Sequence, residues 1–270
     1  MIILYLLTNF IRTMRFIGAY AAANVQAAME YRVSFGVQVL TMVANDSLWL
    51  FFWLSYFQQF PVVNGWQNTN IVVIWAVAAC GYGISTGFFG NAIKLAPLIM
   101  NGGLDAYLGM PRNVLLHACV SASDPTAWGD IIFALGSFLL FLRPDPAHFA
   151  LFLLLAMASA LIFTSFFVII CSLSFFLGNT EGLAQQLAGA LITFSTYPMN
   201  IFNGVVRLLL FTIIPAGFIS FVPLQLLQQF SWPLLAAMLG FTTLIVLAAY
   251  GIFQLGLRRY ESGNLLGMQA

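Results

Sequence analysis

Charge is what this chain has least of. Only 6% of its 270 residues are charged, with eight arginines and a single lysine, Lys94, against eight acids. A water-soluble domain carries roughly 25% charged residues. At 61% hydrophobic residues and a mean hydropathy of +0.96, packing in water is excluded. The three cysteines, Cys80, Cys119 and Cys171, stand alone, which removes a disulfide framework and a paired thiolate metal site. Neither histidine, His117 or His148, has an HExxH-type neighbour, so no metal site is expected. With one lysine, in "AIKLAP", the chain has no GK[ST] phosphate loop, and any ATP chemistry must belong to another polypeptide. No basic run suits nucleic acid, and no period-two alternation suits a β-barrel.

What remains is long apolar runs, several reaching the ~20 residues that cross a bilayer. The expected fold is an all-α polytopic membrane protein in a single domain over 1–270. Its start, "MIILYLLTNFIRTMRFIGAYAAANVQAAMEYR", has a signal-peptide look, but Arg12 and Arg15 follow the apolar stretch instead of preceding it. Met14 is an alternative start. At 100° per residue Thr8, Arg12, Arg15, Ala19, Gln26 and Glu30 form one stripe, with Leu6, Phe10, Ile17, Ala21 and Ala28 opposite. That pattern predicts an amphipathic interface helix over about 8–31, with Arg12, Arg15, Glu30 and, at its end, Arg32 as its charged residues; a frayed start to the first span is the alternative.

Spans are expected at about 34–57, 71–91, 126–142, 147–177, 183–197 and 232–257. In the second, Ala79, Gly83 and Gly87 recur every four residues, which lets another helix approach closely. "SDP" predicts Asp124 as N-cap with Pro125 opening the third span, and "RPDP" repeats the device with Asp145 and Pro146 for the fourth. Gly178 and Asn179 end that helix. The aromatic run "LWLFFWLSYF", with Phe88 and Phe89, either faces lipid or lines an apolar route.

The stretch 198–230 is apolar enough to cross, yet Pro198, Pro215 and Pro223 are expected to cut it into pieces of about 16 and about 8 residues, too short for a clean span. Six crossings put Arg12, Arg15, Arg32, Lys94, Arg112, Arg258 and Arg259 in the cytoplasm with both termini, leaving Arg143 and Arg207 outside. A seventh would move Arg258 and Arg259 out, so the positive-inside rule favours six. The stretch is therefore expected to dip into the outer leaflet and return.

Little here carries chemistry. Asp46 and Asp130 are the only acids in or bordering the spans, and neither sits in a recognised catalytic motif. Asp130 suits a helix N-terminus. Asn45 and Asp46 are interhelical glue or, in the alternative reading, the polar site of a stand-alone secondary transporter or channel. No catalytic residue is expected. The loop over about 94–124 is more informative: Gly102 and Gly103 make a turn, and "LDAYLGM" predicts about two helical turns presenting Leu104, Tyr107 and Leu108 to a partner.

"GGLDAYLGMPRNVLLH", "YPMNIFNGVVRLLLFTIIPAGFISFVP" and the closing "GLRRYESGN" resemble the permease subunits of bacterial ABC-2-type ATP-binding-cassette transporters. The resemblance runs along nearly the whole chain. It implies a coupling helix formed by Gly103, Leu104, Asp105, Ala106, Tyr107 and Leu108. It also implies an outer gate hairpin shaped by Tyr197, Pro198, Ile201, Phe202, Gly204 and Arg207. The implied partners are an ATP-binding-cassette ATPase dimer carrying ATP and Mg, a second permease chain, alike or related, and membrane lipid. The implied place is the bacterial cytoplasmic (inner) membrane, and the implied task is export of an amphipathic or lipid-like substrate. No cofactor is expected on this chain itself.

Overall fold

The computed structural model describes residues 2–63 and 65–260, and side chains from residue 8 onward. Met1, the side chain of Leu6 and positions 261–264 of the closing motif lie outside the described residues. Among the described residues there is no strand, only an isolated bridge between Val63 and Trp66. The helices are α1 (Ile2–Ala28), α2 (Arg32–Gln59), α3 (Asn68–Phe89), α4 (Leu95–Met100), α5 (Asp105–Leu108), α6 (Val114–Val120), α7 (Ala127–Leu142), α8 (Pro146–Ser172), α9 (Ser174–Leu177), α10 (Glu181–Ser195), α11 (Gly204–Thr212), α12 (Val222–Gln228) and α13 (Trp232–Leu257).

Four helical stretches among them are long and apolar enough to cross a membrane: 8–59, Asn68–Phe89, Pro146–Leu177 and Trp232–Leu257. The bent pair α11 and α12 would make a fifth if read as one span. Two of the six expected spans are short, α7 with 16 residues and α10 with 15. At 1.5 Å per residue they reach only about 22–24 Å. Between α1 and α2 a single 3₁₀ turn, Met29–Tyr31, intervenes, and Tyr31 leaves helical geometry at ψ 67°.

Contacts order the long helices head to tail. At one end α8 meets the start of the α4 region, where Cys171 Sγ bonds to the Ile93 carbonyl. There α10 touches α4, and Phe253 near the end of α13 packs edge-on to Phe175 of α9 at 5.5 Å. At the other end Tyr197, after α10, meets Trp53 of α2 at 5.6 Å, and Phe138 of α7 stacks on Phe152 of α8 at 4.0 Å. The helices α2, α3, α7, α8, α10 and α13 thus alternate direction between two ends of one bundle. Close approach comes from missing side chains: a Cβ on Gly83 would lie 2.8 Å from the Ala127 carbonyl, and one on Gly81 2.8 Å from Ser159 Cβ. The expected spacing of small residues therefore does bring α3 against α7.

Residues 198–228 leave and rejoin the bundle at the same end. Pro198 and Ile201 lie beside Phe57, Val63 and Trp66, and Gln228 Nε2 donates to Asn70 Oδ1 at 2.8 Å. Between those points the arms bend by 76°. Pro215 follows the break after α11, as expected. Pro223 breaks nothing, which corrects the reading of three chain-cutting prolines. It sits in the first turn of α12, where a missing N–H is tolerated. A π-helical turn, Gly217–Phe221, runs into it. The carbonyl four residues before a proline has no amide to accept from, and here that is Ile219. The buried Ser159 hydroxyl of α8 donates to it at 2.8 Å. Irregular backbone is thus satisfied by protein, as apolar surroundings demand.

Two caps behave as read and one does not. Asp145 accepts from His148 N at 2.7 Å with Pro146 behind it, and α8 with α9 ends at Gly178, φ +78°. Asp124 instead accepts from the Thr126 amide and hydroxyl, at 2.9 and 2.8 Å, capping a turn so that α7 opens at Ala127, not at Pro125. The fourth helix likewise carries a turn at Leu173 between α8 and α9.

Candidate functional site

Two groups of side chains stand out, one at the α4–α6 end and one inside the bundle. The first is built on the predicted coupling loop. "LDAYLGM" forms a single four-residue turn, α5, and not two. Leu104 is 0% exposed, packed into the core beside Leu98, so it cannot meet a partner as expected. Leu108 and Met110 are 46% and 42% exposed and supply the apolar outer face instead. Gly103 is needed bare, since a Cβ there would lie 2.8 Å from Leu98 Cδ2. Ala106 is exposed beside them on α5. Asp105 lies beside the Tyr260 hydroxyl, whose pKa burial and that neighbouring carboxylate push up to about 12.

His117 of α6 gathers three other elements. Tyr20 of α1 is hydrogen-bonded to its Nε2. The rings of Phe16, Tyr20 and Tyr107 lie 5.3, 5.2 and 5.4 Å from its own. Arg112 covers Phe16 at 5.3 Å. Tyr107 Oη donates to Ser121 Oγ at 2.9 Å, which also receives Asn91 Nδ2 at 2.8 Å, and Asn24 Nδ2 donates to the Val120 carbonyl at 3.1 Å. One knot therefore ties α1, α5, α6 and the end of α3. Nothing in the sequence pattern announces it: a lone histidine and scattered Tyr, Asn and Ser have no spacing that signals a contact across some ninety residues. Arg12 and Arg15 of α1, Glu30 of the 3₁₀ turn and Arg32 of α2 stay exposed, while Ala21 is buried and Ile17 half-buried on α1.

The second group is Asp46 on α2 and Asp130 on α7, 4% and 2% exposed. Their carboxyl groups lie within hydrogen-bonding reach of each other, and Asn45 Nδ2 reaches Asp46 Oδ1 at 3.5 Å. Oδ2 of each acid is buried and has no donor. They border a cavity of about 370 Å³ that also meets Trp49, Trp75, Tyr82 and Tyr197. The sequence singled out both acids but had no means of pairing them. The aromatic run divides as its helical period requires: Leu50, Trp53 and Phe57 are buried, and Leu48, Trp49, Phe51 and Phe52 are exposed.

The residues assigned to the hairpin lie along its first arm, ahead of the bend between Thr212 and Gly217. Tyr197 borders both this cavity and a second of about 330 Å³ between Trp53, Phe57 and Pro198. Phe202 packs edge-on to Phe194 at 5.4 Å, and Arg207 lies 5.6 Å over the Phe221 ring. Gly204 adopts φ +57°, and Ile201 is exposed.

No curated protein and no solved structure matches the chain. The model of a protein family described as ABC-2 family transporter protein matches residues 43–264, from α2 through the last helix. That family is a membrane transport component and not itself catalytic, which favours a permease over the stand-alone transporter or channel reading. Over most of its length, then, this membrane-embedded chain belongs to the ABC-2 family of transporter proteins, as a permease component of an ATP-binding-cassette transporter.

Proposed function

We propose that the chain crosses the bacterial cytoplasmic membrane six times as one half of an export path for an amphipathic or lipid-like substrate. A separate ATPase dimer, with its own ATP and Mg, drives it, and a second permease chain completes it. The alternating directions of the six helices support six crossings, with α7 and α10 relying on the lipid interface to make up their length. Lys94, Arg112, Arg258 and Arg259 cluster at the α4–α6 end and Arg143 at the other, which supports a cytoplasmic α5 and cytoplasmic termini. The return of 198–228 to its own end supports a re-entrant outer hairpin, and α1 lies as an interface helix against α6.

The observation that carries the reading is the exposed apolar pair at the end of α5 and just beyond it, Leu108 and Met110, with α5 held on the His117 knot through Tyr107. An apolar face at a membrane protein's cytoplasmic end is stable when a partner covers it. The ATPase seats there, and its closure moves α5 with α1 and α6 as a packed unit. Tagged full-length chain purified from its native membranes in mild detergent is expected to bring an ATPase with it. Leu108→Asp with Met110→Asp is expected to lose that ATPase while the permease keeps its elution volume. Retention of the ATPase by the double variant would refute this docking face.

A further inference from the structure

Building on the permease reading, we propose that the cavity beside Asp46 and Asp130 is a subsite for a hydrophobic organic cation, a single positive charge carried on an aromatic or apolar body. Four observations converge on that class. First, the acid pair is short of partners. Two carboxyl groups in reach of each other hold one proton between them, which leaves a single negative charge on the pair. Both Oδ2 atoms are buried without a donor, and Asn45 Nδ2 reaches Asp46 at 3.5 Å. No lysine, arginine or histidine borders the cavity, and the next charged group, Asp124, adds more negative field to Asp130. An uncompensated acid at membrane depth is costly and marks a pathway or ligand site.

Second, the rest of the wall is aromatic. Trp49 and Trp75 stack at 6.4 Å and 20°, and Tyr82 and Phe163 meet edge-on at 5.6 Å. Such faces attract cations through the ring quadrupole, more strongly when water is excluded. Third, the space suits an organic ligand: about 370 Å³ lies within the range of small-molecule sites, roughly 300–1,000 Å³. A bare metal ion fits poorly, since hard cations want six or more oxygens. Among the described residues no group of three His, Cys, Asp or Glu could hold one. Fourth, Trp75 borders the same cavity, and its Nε1 is buried and unpartnered, an unused donor within the wall. Asp46 and Asp130 lie deep, while Asn45, Trp49 and Thr193 are exposed at the mouth, so a cation would enter between α2 and α10 and meet the acids last.

The test uses the full-length chain, purified with its partner subunits, and two probes of matched shape and opposite charge. Radiolabelled tetraphenylphosphonium is expected to bind saturably, and tetraphenylborate at least tenfold more weakly. Asp46→Asn with Asp130→Asn preserves shape, removes the negative charge of the pair and is expected to weaken tetraphenylphosphonium at least tenfold. Trp49→Leu, at the exposed mouth, leaves the acids in place and is expected to weaken it several-fold. Equal binding of both probes, or unchanged binding by the acid variant, would overturn the proposal. So would variants whose only effect is a changed permease pairing by size exclusion. Co-purification of the ATPase is read on the same samples. Its presence without charge-selective binding overturns the cation site alone. Its absence alongside such binding overturns the permease reading, and with it the site's role in transport.

Discussion

Gly83→Ala tests whether α3 and α7 are held by backbone contact. A new methyl would sit 2.8 Å from the Ala127 carbonyl oxygen, 2.9 Å from Asp130 Cβ and 2.9 Å from Ile131 Cγ1. Carbon contacts are comfortable at about 3.5–4.0 Å, so three neighbours, one of them backbone, must each retreat by roughly half an ångström or more. Overpacking of that kind costs about 1–3 kcal/mol. Alanine returns about 1 kcal/mol of helix propensity, leaving a net loss of about 0–2 kcal/mol. Gly240 on α13 is the control: a Cβ there meets nothing within 4 Å, so Gly240→Ala keeps only the propensity gain. Thermal unfolding of the purified chain in detergent, followed by tryptophan fluorescence, is expected to put Gly83→Ala below the parent and Gly240→Ala level with or above it. About 1 kcal/mol corresponds to about 2–4 °C in a chain of this size. A Gly83→Ala protein as stable as Gly240→Ala would refute the close packing of α3 on α7.

Gly204, at φ +57°, requires left-handed backbone that costs other residues about 1–2 kcal/mol. Gly204→Ala should therefore lower the melting temperature of the purified chain, and Gly204→Asn, which tolerates that region, should lower it less. The amide and ring of His148 hold the Asp145 carboxyl below its ordinary value of 3.8. A depressed folded pKa means a contribution fully present above pH 3.8 and lost as pH falls through the lower folded value. The difference in melting temperature between parent and Asp145→Asn should shrink as pH falls below about 4.

Signals that are local in sequence were legible, and pairings between distant residues were not. Asp145–Pro146, Gly178 and the small residues of α3 each act within a turn or through an absent side chain, so their pattern carries their meaning. The bend over 198–228 was legible from Pro215 for the same reason. Pro223 was misread because its consequence depends on Ser159, some sixty residues earlier, reaching the Ile219 carbonyl. Leu104 was misread because an apolar residue beside exposed ones looks the same whether it faces out or in. The turn at Gly102, φ +72°, folds it under the loop. Asp46 and Asp130 were each visible as an acid out of place, but no rule of spacing joins two helices that meet side by side.

The knot and the acid-lined cavity share their supporting elements. Asn91, at the foot of α3, is bonded to Ser121, and the Asp124 amide donates to the Thr86 carbonyl at 3.0 Å. Tyr82 and Ala78, higher on α3, border the cavity, and Asp130 is in the first turn of α7. From Asn91 to Tyr82 the helix rises only about 13 Å. Gly83 and Gly87 lie bare against Ala127, the latter with a would-be Cβ at 3.4 Å, so α3 and the start of α7 have no slack between them. Packed elements without voids move as bodies and do not deform continuously. A displacement applied at α5 and carried through Tyr107, Ser121 and Asn91 is therefore delivered to α3 and α7 together. The helix α2, which brings Asp46, follows them, because a Cβ on Gly129 of α7 would lie 2.6 Å from the Val39 carbonyl of α2. The acid pair then travels inside one packed body, and the wall of the cavity free to move against it is α10, which supplies Ile192 and Thr193.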